Sequence, residues 1–281
     1  MMRARRFGAA ALAVAASAAL AAACGIAGAS ESSVAHKGKL VIGVNKDQPG
    51  LGQQQSDGSY QGFDIDVARQ LAAFMGVRDV EFRAITSANR ETMLRDGSVD
   101  LVVGSYSITP ERKTKVAFAG PYYVAHQSIL VRASDGGRVR SVHDLAGRKV
   151  CRVPGSVSYP RVTKERGVAA VPVNASGYKD CLDGLTSGRL DAVSTDDLIL
   201  AGLFAQNVQA GGPALRLVNA PFSDEPYGVG IKQGDVDGCE AVNKAITRMY
   251  QQGIPTRLLQ SRFGASGLAY TGTVPQFEGC E

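Results

Sequence analysis

The sequence predicts an α/β fold in which mainly parallel sheets are flanked by helices and divided between two lobes. From Lys39 onward, short apolar runs alternate with segments of helical periodicity, and repeated strand, helix, strand marks a parallel sheet with helices on its faces. Small residues and hydroxyls gather where apolar runs stop, as at Gly104-Ser105 after Leu101-Val102-Val103, which is where open α/β sheets hold ligands. Beyond an export-type start, about 240 residues remain, enough for two lobes of ordinary domain size.

That start is basic Arg3, Arg5 and Arg6, then an Ala-rich apolar run over residues 7–23, then Cys24. These are the marks of a signal peptide, residues 1–23, and not of a spanning helix. Ala21-Ala22-Ala23-Cys24 resembles a bacterial lipobox, whose cysteine is lipidated and becomes the mature N-terminus, although the usual leucine falls one place early, at Leu20. Ordinary cleavage near Ala23, giving a secreted protein, is the competing reading. Parity favours the lipid: five cysteines become four once Cys24 is set aside, and four can pair completely. Losing the three leading arginines lowers the formal charge from +5 to +2. No basic cluster remains to suggest a nucleic-acid surface. No Cys-x-x-Cys spacing occurs and the three histidines stand apart, so neither a metal nor another cofactor is expected. Residues 24–38, small, polar and patternless, suit a flexible tether.

In the body, residues 40–44, 80–85 and 101–103 are predicted strands, and residues 64–75 and 89–96 predicted helices. Residues 45–61, rich in Gly, Gln and Asp, form a loop long enough to be functional. Strands follow at 128–131 and 149–153, a helix at 178–187 and a strand at 192–194. A helix over 198–205, strands at 215–218 and 227–231, and C-terminal helices over 238–263 complete the chain.

Three stretches carry chemistry, each with two readings. In Gly104-Ser105-Tyr106-Ser107-Ile108-Thr109-Pro110-Glu111-Arg112, a hydroxyl and a guanidinium fork lie five residues apart and can meet on one carboxylate; Thr109 and Pro110 equally suit a capped helix that leaves Arg112 in solvent. Pro154-Gly155-Ser156-Val157-Ser158 can offer backbone N–H groups to an anion or be a plain turn. Asp196 and Asp197 are paired acids beyond a strand, or solvated helix caps.

Ser-Ile-Thr-Pro-Glu-Arg from Ser107, with Phe118 and Pro121-Tyr122 after it, resembles the family 3 extracellular solute-binding proteins, which deliver polar amino acids to ABC importers. Gly62-Phe63-Asp64-Ile65-Asp66 and Asp191-Ala192-Val193-Ser194-Thr195-Asp196 are similar to two further landmarks of that family, in its order. The resemblance implies the type II periplasmic-binding-protein fold, with lobe one at residues 39–127 and 223–281, lobe two at 128–222, and a two-strand hinge. It implies a monomer on the outer face of the cell membrane, working with a membrane permease and binding a free amino acid. Ser105, Ser107, Arg112, Ser156 and the Val157 N–H would hold the ligand's α-carboxylate; the Gly104 carbonyl, Ser105 and Asp196 its α-ammonium. Thr195, Asp47 and Gln48 would border the side-chain pocket. Membership of lobes pairs Cys151 with Cys181 and Cys239 with Cys280.

Ser87-Ala88-Asn89-Arg90 and the stretch from Asp47 to Gly52 resemble the family's glutamate and aspartate branch, in which an arginine meets the second carboxylate. Arg90 would take that role beside Ser87, with Lys46 as a second candidate; alternatively Arg90 points to solvent. Other relatives of this fold are dehydratases or sensors. An enzyme would need a positioned acid or base, and no His or Glu stands at a landmark position, so a binding protein and not an enzyme is expected.

Overall fold

The computed structural model describes residues 33–135, 137–266, 268 and 273–280. Residues 1–23, expected to be a signal peptide, and Cys24 lie outside the described residues. The expected tether is only partly described, and residues 33–37 are not patternless. Ser33 Oγ and the Val34 N–H donate to the two oxygens of Asp235 at 2.6 and 2.9 Å, pinning a single 3-10 turn, Val34–His36, to the folded body.

In chain order the first lobe runs β1 (Lys39–Val44), β2 (Asp47–Gln48), β3 (Gly52–Gln54), β4 (Tyr60–Gln61), α1 (Phe63–Phe74), β5 (Asp79–Ala84), α2 (Arg90–Arg95), β6 (Leu101–Val102) and α3 (Pro110–Lys113). Next comes β7 (Ala117–Arg132), followed by β8 (Lys149–Arg152), α4 (Ser158–Pro160), β9 (Val171–Asn174), α5 (Tyr178–Thr186), β10 (Ala192–Asp196), α6 (Asp197–Gln209) and β11 (Leu215–Val218). β12 (Asp224–Ile231), α7 (Val236–Gln251) and α8 (Ile254–Phe263) end the chain.

The strand order is β5-β1-β6-β12-β7-β10-β8-β9, with β11 also on β7. β1 is parallel to β5 and β6, and β8 is parallel to β9 and β10. Each lobe therefore has the parallel centre that alternating strand and helix demands. β7 serves both sheets, pairing with β12 along one half and with β10 and β11 along the other. The sequence separates the Phe118 to Tyr123 motif from a strand at 128–131; they are one strand, because its partners change while its backbone does not. β11 pairs only with the lobe-two half of β7, so of the strands expected at 215–218 and 227–231 only the second, β12, leads back to lobe one. Loop 45–61 contains the small β2-β3-β4 sheet.

Helical periodicity places the core. Cys239, Val242, Ala245, Ile246 and Met249 of α7 form one buried stripe at three- and four-residue spacing. Disulfides join Cys151 to Cys181 and Cys239 to Cys280, each with Cα atoms 5.7 Å apart. The second straps the C-terminal tail to lobe one, where the Glu278 N–H donates to the Gly120 carbonyl and its carboxylate meets Lys113.

Candidate functional site

β6 ends against the β1 backbone, and the chain turns at Gly104 and Ser105. Ser105 has φ +42°, a left-handed conformation that costs a non-glycine residue on the order of 1 kcal/mol and is held only by its surroundings. Its N–H donates to buried Asp64 at 2.9 Å and its hydroxyl to Gln48 Oε1 at 2.9 Å. The other Asp64 oxygen accepts from the Tyr122 hydroxyl at 2.8 Å. Burial pushes the Asp64 carboxyl up to about 6.

The helix cap expected in the next stretch is present, but the solvated Arg112 that went with it is not. Thr109 caps α3 with Pro110 in its first turn, and the cap aims Arg112 inward instead of into solvent. Arg112 is 4% exposed. Its Nη1 donates to the Ser107 carbonyl at 2.6 Å, and its Nη2 crosses the cleft to the Gly155 carbonyl at 2.9 Å.

Arg90, in the first turn of α2, is 2% exposed and so does not point to solvent. Its guanidinium lies 3.8 Å from the Tyr106 ring centroid, a cation–π stack, while Nη1 reaches the Gly104 carbonyl at 3.3 Å. Arg90 Nε is buried without a hydrogen-bond partner. Arg112 approaches the same ring at 5.0 Å. Burial, reinforced by the Arg112 charge, lowers Arg90 to about 9.

Lobe two faces these groups with the turn that follows β8. Gly155, at φ +76°, brings its backbone so near lobe one that a Cβ would sit 2.3 Å from the Ser87 carbonyl. Ser156, Ser158, Thr195 and Tyr178 join in a hydroxyl network with every link at 3.0 Å. Asp196 is the last residue of β10, within the strand and not beyond it. It accepts from the Tyr227 hydroxyl at 2.6 Å and from the Gln127 amide, both on the crossing strands. Burial, then the charge of nearby Glu225, raises its carboxyl to about 8. Asp197 instead meets His126 at 3.3 Å.

Ser87, Arg90, Ser105, Ser107, Arg112, Ser156, Val157 and Asp196 line one small cavity between the lobes. The Gly104 carbonyl accepts from Arg90, Thr195 joins the lining hydroxyls of Ser158 and Tyr178, and Gln48 accepts from Ser105. Asp47 and Lys46 line a neighbouring cavity of about 520 Å³ that shares Ser87 and Tyr178 with the first. Asp47 also bridges the lobes by accepting the Tyr178 N–H at 2.9 Å, while Lys46 remains exposed at the rim. A surface groove of about 510 Å³ between α6 and α8 shows no comparable convergence of buried charge.

Sequence reasoning missed Asn45, Tyr106, Gln127, Ser158, Tyr178 and Tyr227. Asn45 and Ser158 lay inside stretches already singled out, and Tyr106 stood between two expected ligand residues. Gln127 and Tyr227 carried no signal, because their role comes from pairing across the hinge. Among the described residues, no His, Cys, Asp and Glu cluster suits a metal, and no helix is long and apolar enough to cross a membrane.

Two buried guanidinium groups and one buried carboxyl group thus converge on one cavity of about 10 Å³. Residues 40–265 match the model of the bacterial extracellular solute-binding proteins, family 3. The glutamate-binding protein GluB of Corynebacterium glutamicum is 34% identical over 247 residues, spanning 85% of this chain and 83% of that protein. The glutamine-binding protein GlnH of Bacillus subtilis is 35% identical over 219 residues, 76% and 77% of the two chains. Among solved structures, an ancestral arginine-binding protein bound to arginine superposes with a TM-score of 0.73 at 33% identity, covering 81% of this chain and 99% of that one.

Proposed function

The chain belongs to the bacterial extracellular solute-binding proteins of family 3, and on that premise we propose that it captures glutamate or aspartate outside the cell and delivers it to the permease of an ABC importer. The carrying observation is Arg90 and Arg112, both buried on Tyr106 in one cavity that also contains Asp196. Arg112, Ser105, Ser107, Ser156 and the Val157 N–H take the α-carboxylate. Asp196, with Ser105 and the Gly104 carbonyl, takes the α-ammonium. Arg90 takes the second carboxylate beside Ser87, and Thr195, Gln48, Asp47 and Lys46 bound the side-chain space. The relative GluB, a glutamate-binding protein, supports this reading. Arginine, named for other relatives, would set its guanidinium against Arg90.

Binding and not catalysis fits the binding-protein names of the relatives. Lobe one comprises residues 39–127 and 223–281 and lobe two residues 128–222; the supporting contact is at the crossing, where the Gln127 N–H donates to the Ser223 carbonyl and the Phe222 N–H to the Gln127 carbonyl. Lipidated Cys24 attaches the mature protein to the outer face of the membrane as a monomer.

Calorimetry with glutamate, aspartate, glutamine, asparagine, arginine and histidine tests the ligand. The acids bind first, the amides weaker and the basic amino acids not at all. Arg90→Ala costs the acids about 3 to 5 kcal/mol, because a buried charge loses its partner, and the amides on the order of 1 kcal/mol. Tight arginine or histidine binding, or an Arg90→Ala protein with full preference for glutamate over glutamine, overturns the assignment.

A further inference from the structure

Beside Asp196 lies a partly buried ion pair between the second lobe and the returning hinge strand. Glu225 of β12 has no exposed surface. Its oxygens accept from Arg161 Nε at 2.7 Å and Nη2 at 3.2 Å, and one also accepts from the Ser223 hydroxyl at 3.0 Å. The fork-to-carboxylate geometry fixes direction as well as distance. Arg161 directly follows α4, and its N–H donates to the Val157 carbonyl at 2.9 Å. Its remaining partner is Glu165.

We propose that Arg161 is a positioning residue for ligand binding: its fork on Glu225 holds the Ser156-Val157-Ser158 turn over the α-carboxylate and keeps the Glu225 charge from bearing fully on Asp196. The proposal rests on the amino-acid-binding reading and assigns a role to a pair that does not line the cavity. Asp196 faces Glu225 and Tyr227 from β12, Asp197 from the start of α6, Arg112 from α3 and Tyr178 from α5. Glu225 acts on it as a like charge, which favours the protonated carboxyl. An ammonium ligand needs that carboxyl ionised, so affinity falls on the acid side of its titration. Arg161 neutralises the neighbour that would move this limit upward.

The test is glutamate affinity against pH, by calorimetry, for the wild type, Arg161→Gln, Arg161→Lys and Glu225→Gln. Arg161→Gln binds about tenfold more weakly at neutral pH, and its acid limb moves up by about one pH unit. Arg161→Lys keeps the charge and loses the fork, so affinity falls while the acid limb stays. Glu225→Gln leaves Arg161 paired with Glu165 and moves the acid limb down; this opposite sign holds the test open should Arg161→Gln fail to fold. A wild type that binds glutamate beside variants with unchanged affinity and unchanged acid limbs overturns the proposal alone. A wild type that binds no amino acid overturns the functional reading and takes this inference with it.

Discussion

Replacing Asp196 with Asn should change the empty protein as well as the liganded one. In the closed cleft the carboxyl is raised from 3.8 to about 8, chiefly by burial. If water reaches Asp196 in the open cleft, its carboxyl returns towards the ordinary value. Closing the empty cleft at pH 7 therefore requires taking up a proton, at a cost of about 4 kcal/mol from 1.36 kcal/mol per pH unit. At pH 5 the same step costs about 2 kcal/mol. Because the raised value belongs to the closed form, this contribution favours closure fully below 3.8 and is lost as pH rises through about 8. An ammonium ligand removes the cost by supplying the opposite charge, so the acid makes closure conditional on cargo. Asp196→Asn abolishes that condition. The free variant shifts towards the closed form by up to about a thousandfold at pH 7 and loses its pH response, while glutamate binding weakens by about 3 to 5 kcal/mol. Small-angle X-ray scattering of ligand-free protein from pH 5 to pH 8 reads the change as a fall in radius of gyration. If ligand-free variant and wild type scatter identically at pH 7, and the wild type does not compact towards pH 5, the charge of Asp196 does not hold the empty cleft open.

Arg112→Lys keeps the positive charge but loses the fork that reaches both Ser107 and Gly155; glutamate affinity falls about tenfold or more, and normal calorimetric affinity would mean that the α-carboxylate is held elsewhere. Cys24→Ala releases the protein into the medium or blocks its maturation, and a variant that stays membrane-bound and correctly processed, judged by fractionation and mass, would refute lipid anchoring.

The parts legible in the sequence are those whose determinants are local. Residues 40–44 and 64–75 announce β1 and α1 by an apolar run and a helical stripe, and the elements begin within a residue of those bounds. The cap at Thr109 was equally legible, and with it the start of α3. What escaped depends on distant pairing. β2 and β4 are two residues long, too short for any period to register. The unity of β7 comes from strands up to a hundred residues later. Arg90 is the sharpest case: on its own helix it is an ordinary first-turn cation, and the ring of Tyr106 with the Gly104 carbonyl, both brought alongside by β6, make a buried position tolerable. Tyr227 acts on Asp196 from 31 residues away because two crossing strands bring them together.

The strand order β5-β1-β6-β12-β7 has a consequence for the order in which the molecule can assemble. β6 and β7 are separated by a slot that only β12 fills, and β12 emerges after the entire second lobe. Lobe two is built from one continuous stretch hung on β7, so its strands and helices can find each other without waiting for the rest. Until residue 231 is available, lobe one carries two raw sheet edges side by side, each a template for wrong partners. The last strand to arrive is therefore a keystone: its insertion closes the first sheet, completes the hinge and delivers Glu225 and Tyr227 to the cleft in one event.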